Sequence, residues 1–400
     1  MSAKLSELVK QVNRGDIKLV AGKGGYSNQV EWVHMVDNTE IADFLVGGEF
    51  TFTTGIGIRE DMTLLDLVKY VYKKKASGMV INVGPYIPEI PQEVIDFGNE
   101  HDFPLFEVPW EVHMADIMRM FCFTITQSEQ RAMELSAAFR YAVFAPQQQE
   151  LYVTPLMQKG YFAEWNYVAA ILDISDRLKD EKDNIFYVPI SAERLEILQK
   201  KVIGLVGQRK QDIVVFREKE KIVLIFSDVR EGEAEEITDL LLNQIKELLR
   251  TTETIFAGIG SVSDNIRTLS ESYGMARKIV DLSKLEQDEK RARSYGELGM
   301  ESLLFHIDRV ESLKYFCEKT VAPLYEYDKN HGSNLVELLT VYLEHDGSLQ
   351  DTAEKLFVHR NTINYRLRKI ETMLQVDLTR QNVRNNLALG LMAAKIKEIF

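Results

Sequence analysis

Apolar positions change their spacing along this chain, and those changes divide it. Over residues 1 to about 112, short stretches rich in β-branched and aromatic residues (Ile17 to Val20, Val30 to Val36, Glu49 to Thr54, Gly78 to Val83) are interleaved with stretches of helical spacing (Asp61 to Ala76, Pro91 to Asn99). Such alternation predicts an α/β domain. Gly22-Lys23-Gly24-Gly25 and Gly84-Pro85 punctuate it, and the first, lacking the rest of a phosphate loop, reads as a turn. From Met114 to Val143 the punctuation stops. Ile117, Phe121, Thr124, Ser128, Ala132, Leu135, Phe139 and Ala142 recur by three and four, predicting one long helix that breaks at Pro146. Its stripe suits either a connector and dimer seam or a face packed on the helix's own domains.

Residues from about 160 to 295 form a second α/β unit. Strands are expected at Tyr167 to Ile174, Asp212 to Phe216, Lys221 to Phe226 and Ile255 to Ile259, with helices at Ala192 to Val206, Glu233 to Leu249 and Asn265 to Leu282. A hairpin flanked by helices predicts an antiparallel or mixed sheet. Beyond Gly296 the strand signals vanish: Leu303 to Leu324, Leu335 to Leu343 and the stretch after Ser348 have helical spacing, interrupted at Gly332 and Gly347.

Composition narrows the class. The chain has 400 residues, 45% hydrophobic and 27% charged, which is ordinary for a globular protein of several domains. Its two cysteines, Cys122 and Cys317, each lie in an apolar helical stretch and read as buried thiols. No signal core and no long apolar run is found, so a cytoplasmic protein without a membrane partner is expected. A formal charge of −13 argues against nucleic acid on average. Locally the balance reverses: from Lys355 to Lys369 there are five basic residues and no acidic one.

That basic run lies in a helix-turn-helix pattern. Ser348 stands where an N-cap belongs, with Asp351 three residues on for a capping-box contact. Leu349, Ala353 and Leu356 face inward, Val358 plugs the turn, and Ile363, Leu367, Ile370 and Leu374 make the buried stripe of the second helix. Asn361, Tyr365 and Arg368 point away from that stripe, with Asn364, Arg366 and Lys369 flanking it. His359, Arg360, Asn361 and Thr362 open the helix, where recognition helices meet base edges. Arginine pairs bidentately with guanine and asparagine with adenine, while Thr, Tyr and Lys serve phosphates. A capped hairpin with a basic outer face also occurs in proteins that never touch DNA.

The string GSLQDTAEKLFVHRNTINYRLRKIETMLQVDL closely resembles the C-terminal helix-turn-helix of the PucR family of bacterial transcription regulators, above all in His359-Arg360-Asn361-Thr362 and Tyr365-Arg366. VAGKGGYSNQVEWVHMVDN, GGEFTFTTGIGI and FPLFEVPWEV resemble the family's N-terminal effector domain, and AILDIS, AGIGS and SYGMARK its GGDEF-like domain. The resemblance implies an α/β sensor at 1–125, a connector helix at 114–146, a catalytically degenerate GGDEF-like α/β domain at 160–295, and an α-helical DNA-binding domain at 296–400 with its helix-turn-helix at 348–374. It also implies an effector such as an amino acid or a purine-derived metabolite, operator DNA as partner, and a homodimer or higher even oligomer.

Two rival readings remain. A nucleotide cyclase of GGDEF type needs a metal-binding Asp at a strand end and a glycine pair in the hairpin turn. Asp173 could be that acid, but Ser175 stands where a second acid is expected, and Arg217-Glu218-Lys219-Glu220-Lys221 holds no glycine. A ligand-binding adaptor whose basic helix docks an acidic protein is the other. No catalytic constellation, metal site or cofactor is expected. For an effector, Trp32, His34, Asp37, Glu49, Thr53 and Thr54 gather polar and aromatic groups near strand ends, beside Gly47-Gly48 and Gly55. Each taken singly is equally a turn residue or a satisfied core partner.

Overall fold

The structure, a computed structural model, describes residues 3–13, 15–58, 62–181, 183–207, 213–289, 291–307 and 309–397. Met1, Ser2 and the expected element ends at Asp61 and Asp212 lie outside the described residues. The chain separates into two compact units, one of residues 1–141, 150–160 and 196–215, the other of 142–149, 161–195 and 216–400.

The first unit is built on a five-stranded sheet of β1 (Lys18–Ala21), β2 (Trp32–Met35), β3 (Glu49–Thr53), β4 (Gly78–Val83) and β5 (Leu105–Pro109), ordered β1-β5-β4-β3-β2. All neighbours run parallel except the edge strand β1. Period-2 alternation gives the sheet two apolar faces. Met79 and Ile81 pack with helix α1 (Leu64–Lys73) and helix α2 (Gln92–Glu100) on one side. Phe50, Phe52, Val80 and Phe106 pack on the other with the start of helix α3 (Met114–Phe144) through Ile117, Phe121 and Ile125. Thr63 and Asp66 close a capping box at the start of α1. Strand β5 was not expected from spacing.

Gly22-Lys23-Gly24-Gly25 is a turn, and its glycines serve close approach rather than anion binding. A Cβ on Gly22 would stand 2.0 Å from the Phe103 carbonyl oxygen, and one on Gly24 would stand 2.1 Å from the Asp102 carboxylate. The Gly22 amide donates to Asn99 Oδ1 at 3.0 Å.

The stripe that sequence spacing assigns to α3 is consumed inside the chain. Ile117, Phe121, Leu135, Phe139 and Ala142 are buried, and Thr124, Ser128 and Ala132 are half-buried. Its first part packs on the sheet of the first unit through Ile117, Phe121 and Ile125.

The second unit holds a mixed sheet. Strand β6 (Tyr167–Lys179) runs past its expected end at Ile174 because β7 (Ile185–Pro189) pairs with its second half. The sheet then continues through β8 (Val214–Glu218), β9 (Lys221–Ser227), β10 (Glu253–Ile259) and β11 (Arg293–Ser294) in the order β8-β9-β6-β10-β11. Most of helix α4 (Ala192–Gly207) is counted with the first unit, and helices α5 (Glu233–Lys246) and α6 (Leu269–Glu286) belong to the second.

The C-terminal helices are α7 (Glu301–Phe305), α8 (Val310–Thr320), α9 (Ala322–His331), α10 (Leu335–Glu344), α11 (Leu349–Lys355), α12 (Arg360–Leu374) and α13 (Gln381–Ile396). A single helix expected over Leu303 to Leu324 is three pieces, since Val321 leaves helical geometry and Pro323 sits in the first turn of α9, where its missing N–H costs nothing. Met275, Ile279 and Leu282 of α6 belong to the same buried cluster as Leu324, Leu338, Ile363 and Leu391, so α6 and the C-terminal helices share one core. Cys122 is half-buried and Cys317 buried; both are free thiols, and burial pushes both up in pKa.

Candidate nucleic-acid interface

Gly347 opens the motif at φ 81°, a left-handed conformation in which an added Cβ would crowd Tyr342. Ser348 then caps α11, its hydroxyl accepting from the Asp351 amide at 3.3 Å. The reciprocal half of the expected capping box is not formed among the described residues. Helix α11 ends in a Schellman motif: the Val358 amide reaches the Ala353 carbonyl at 3.0 Å and the Phe357 amide the Glu354 carbonyl at 3.3 Å. That closure puts Phe357 at φ 53° with 95% of its surface exposed.

A bulky residue there strains the backbone and buries nothing, so Phe357→Gly is expected to raise stability by about 1 kcal/mol. A denaturant midpoint no higher than that of the parent would contradict this.

His359 caps α12, its Nδ1 accepting from the Asn361 amide at 3.2 Å, which requires an unprotonated Nδ1. Ile363, Leu367 and Ile370 are buried and Leu374 half-buried, anchoring the helix on the bundle. Arg360, Asn361, Asn364, Tyr365, Arg366 and Arg368 are exposed, and Thr362 is half-buried. Between Arg360 and Ile370 the helix has no acid. Among the described residues, Arg360, Arg366 and Arg368 form no salt bridge, although acids outnumber bases in the chain by 13 charges.

Lys369 differs from its expected neighbours. Its ammonium contacts the Tyr327 hydroxyl and lies 4.2 Å from that ring's centroid, and the His331 ring stacks on Tyr327 at 4.0 Å and 7°. The side chain therefore braces α12 against α9 and is held away from the open face. Tyr327 and His331 were not foreseen; the only linear trace of them is an aromatic pair four residues apart on one helix face.

The six residues singled out in the first unit do not converge. Trp32 and Glu49 start parallel strands, whereas Thr53, Thr54 and Asp37 lie at the other end, about 13 Å away at the rise of a strand. Glu49 is buried and accepts from the Val46 and Gly47 amides at 2.9 Å each. Asp37 Oδ1 accepts from the Thr54 amide at 2.7 Å, the Thr54 hydroxyl at 2.9 Å and the Thr53 hydroxyl at 3.0 Å. Both carboxylates thus pin loops. Trp32 is half exposed, and His34 lies between the two ends of β2.

In the middle region the hairpin turns at Lys219-Glu220, with Lys219 at φ 51°. Asp173 is buried and bonded to Lys284 Nζ at 2.7 Å, to Lys221 Nζ and to the Ser175 hydroxyl at 2.7 Å. Burial raises the Asp173 carboxyl, but the Lys221 and Lys284 ammoniums outweigh it and hold the group below its ordinary value. Asp281, 3.9 Å from Lys221, is raised by its burial. Two ammoniums therefore surround the acid that a cyclase would give to a metal. Among the described residues no set of three or more His, Cys, Asp or Glu is arranged to hold an ion.

Family models match three successive regions: the purine catabolism regulatory protein-like family over residues 7–125, a GGDEF-like domain over 159–282, and the PucR C-terminal helix-turn-helix domain over 335–393. In succession these are a PucR-type N-terminal domain, a GGDEF-like domain and a PucR-type C-terminal helix-turn-helix. Similar curated proteins come from Bacillus subtilis (strain 168). The proline-responsive transcriptional activator PutR is 24% identical over 63% of this chain and 64% of its own length. The DNA-binding transcriptional activator AdeR is 22% identical over 50% and 48%, and the purine catabolism regulatory protein 32% identical over 25% and 19%. Each match spans less than two thirds of the relative. Within the PucR helix-turn-helix match fall every exposed arginine of α12 and also Lys369, but not Tyr327 or His331, which precede it. No helix among the described residues is long and apolar enough to cross a membrane.

Proposed function

We propose that this chain is a PucR-type, sequence-specific DNA-binding transcription regulator that acts as a homodimer or higher even oligomer in the cytoplasm. The observation that carries the reading is the acid-free outer face of α12, where Arg360, Arg366 and Arg368 stand exposed without a salt bridge. Guanidiniums left unpaired in an acidic protein are free to exchange water for phosphates and base edges. His359 and Thr362 serve the start of the reading helix, Asn361 and Asn364 offer adenine contacts, and Tyr365 offers a phosphate contact. Lys369 acts through the position of α12.

The sensor is the α/β region at 1–125, the GGDEF-like region at 160–295 is a scaffold without cyclase activity, and the reader lies within 296–400. The names of the relatives, proline-responsive and purine catabolism regulatory, support a small nitrogen-containing effector. Trp32, His34, Asp37, Glu49, Thr53 and Thr54 remain the proposed sensor residues as two groups, one at each end of the parallel strands.

Selection of bound sequences from random duplex DNA tests the reading, repeated with proline and with purine-degradation products. Enrichment of a two-fold symmetric motif with half-sites about 34 Å apart is expected. Recovery of unselected sequence in every arm would favour the adaptor reading instead.

A further inference from the structure

Helix α3 carries a second stripe, on the side away from the one that it buries. Phe123, Thr126, Gln130, Met133 and Ala137 alternate steps of three and four and are all exposed, Phe123 by 63% and Met133 by 59%. Tyr141 extends the line, 43% exposed. At 100° per residue these positions fall within a band about 80° wide, roughly opposite Ile117, Phe121, Leu135 and Phe139. A helix that serves only as an internal strut needs one uncharged face. This one has two.

We propose that the face marked by Phe123, Thr126, Gln130, Met133 and Ala137 is the seam of a parallel two-stranded coiled coil between two copies of this chain. Strict three-four alternation is the spacing that lets side chains of one helix enter the holes of a facing helix with the same repeat, and a second copy supplies that repeat in register. The seam is self-complementary in chemistry as well. From Phe123 to Ala137 it holds no charge, and the repeat continued one step either way reaches Arg119, paired with Asp116, and Arg140, so identical faces meet without repulsion over those five positions. The Thr126 hydroxyl and the Gln130 amide each offer both a donor and an acceptor, so each can bond to its own counterpart. Polar residues inside such a seam fix register at some expense of stability. Glu134, on the flank, is already neutralised by Lys159 within the chain. Parallel alignment brings like ends of two chains together, as a two-fold symmetric operator requires of its readers. This last argument rests on the proposed DNA reading; the spacing and the missing charge do not.

Sedimentation of the full chain tests the seam without DNA. The parent is expected at twice the chain mass of 46.0 kDa. Phe123→Glu with Met133→Glu is expected to give the single-chain mass with an unchanged far-ultraviolet spectrum. Because that double variant could misfold, cysteines introduced one at a time in a Cys122→Ser background, where the remaining Cys317 is buried, provide the second arm. Thr126→Cys and Gln130→Cys should each form a disulfide-linked dimer under mild oxidation, while Arg131→Cys, about 120° off the middle of the seam, should stay single. A parent of single-chain mass, a dimer that survives both glutamates, or cross-linking equal at all three positions would overturn the proposal. A parent that sediments as a dimer, dissociates in the double variant as described and yet selects no DNA sequence would instead count against the regulator reading alone.

Discussion

Arg360→Ala is expected to weaken binding to a selected operator by about 1–3 kcal/mol, roughly five- to 150-fold, without changing the fold. Arg360 is the first helical residue of α12, follows the His359 cap, is exposed and has no intrachain salt bridge, so its removal leaves no buried group unsatisfied. The loss should be concentrated at one base pair: the variant should bind its best site and a version altered at that pair almost equally. Arg366→Ala and Arg368→Ala provide the contrast where they meet phosphates, each lowering the salt-dependence slope by about 0.9 with sequence preference retained. Mobility shifts at several salt concentrations separate the two patterns. Equal binding by parent and Arg360→Ala would remove the basis for the recognition helix.

Lys284→Met is expected to destabilise the second unit by about 3 kcal/mol at neutral pH. The buried Asp173 carboxylate would keep Lys221 and the Ser175 hydroxyl but lose its 2.7 Å partner Lys284, whose ammonium also reaches Ser175 at 3.2 Å. Since Asp173 is held below its ordinary value when folded, its contribution is present above the unfolded carboxylate pKa, near 3.9, and disappears as pH falls through the lower folded value. Asp281, raised by burial, opposes this and softens the dependence. Urea unfolding of parent and variant at pH 7 and again at a pH below the folded Asp173 value should therefore give curves that differ widely at the first and converge at the second. A pH-independent gap would show that packing of the lysine stem, rather than its charge, was lost.

What could be read from the sequence depended on how near in the chain the interacting groups lie. The buried stripe and exposed face of α12 were legible because Ile363, Leu367 and Ile370 repeat locally with the helix period. The brace on Lys369 was not, because Tyr327 comes from another helix and makes an ammonium that looks free into one that is engaged. Likewise Asp173 looked like a metal acid until Lys284, far along the chain, filled its coordination space. Strand β5 escaped notice because it is five residues long and ends on a proline. The outer stripe of α3 was hidden by Thr126 and Gln130, which break an apolar pattern yet suit a helix seam. In the N-terminal α/β region the six polar and aromatic residues lie at two places, because strand β3 carries Glu49 at one end and Thr53 at the other.

The single core joining α6 to the C-terminal helices has a mechanical consequence. Met275, Ile279 and Leu282 on one side, with Glu286 also paired to Lys395 at 3.3 Å, leave no slack between the helix that flanks the mixed sheet and the bundle that holds α12. A reader on a flexible tether samples many headings and forgets what happens upstream. Here a tilt imposed on α6 is expected to reach α12 as by a lever arm, so that on the proposed DNA reading the heading of that helix becomes a property of the whole second unit.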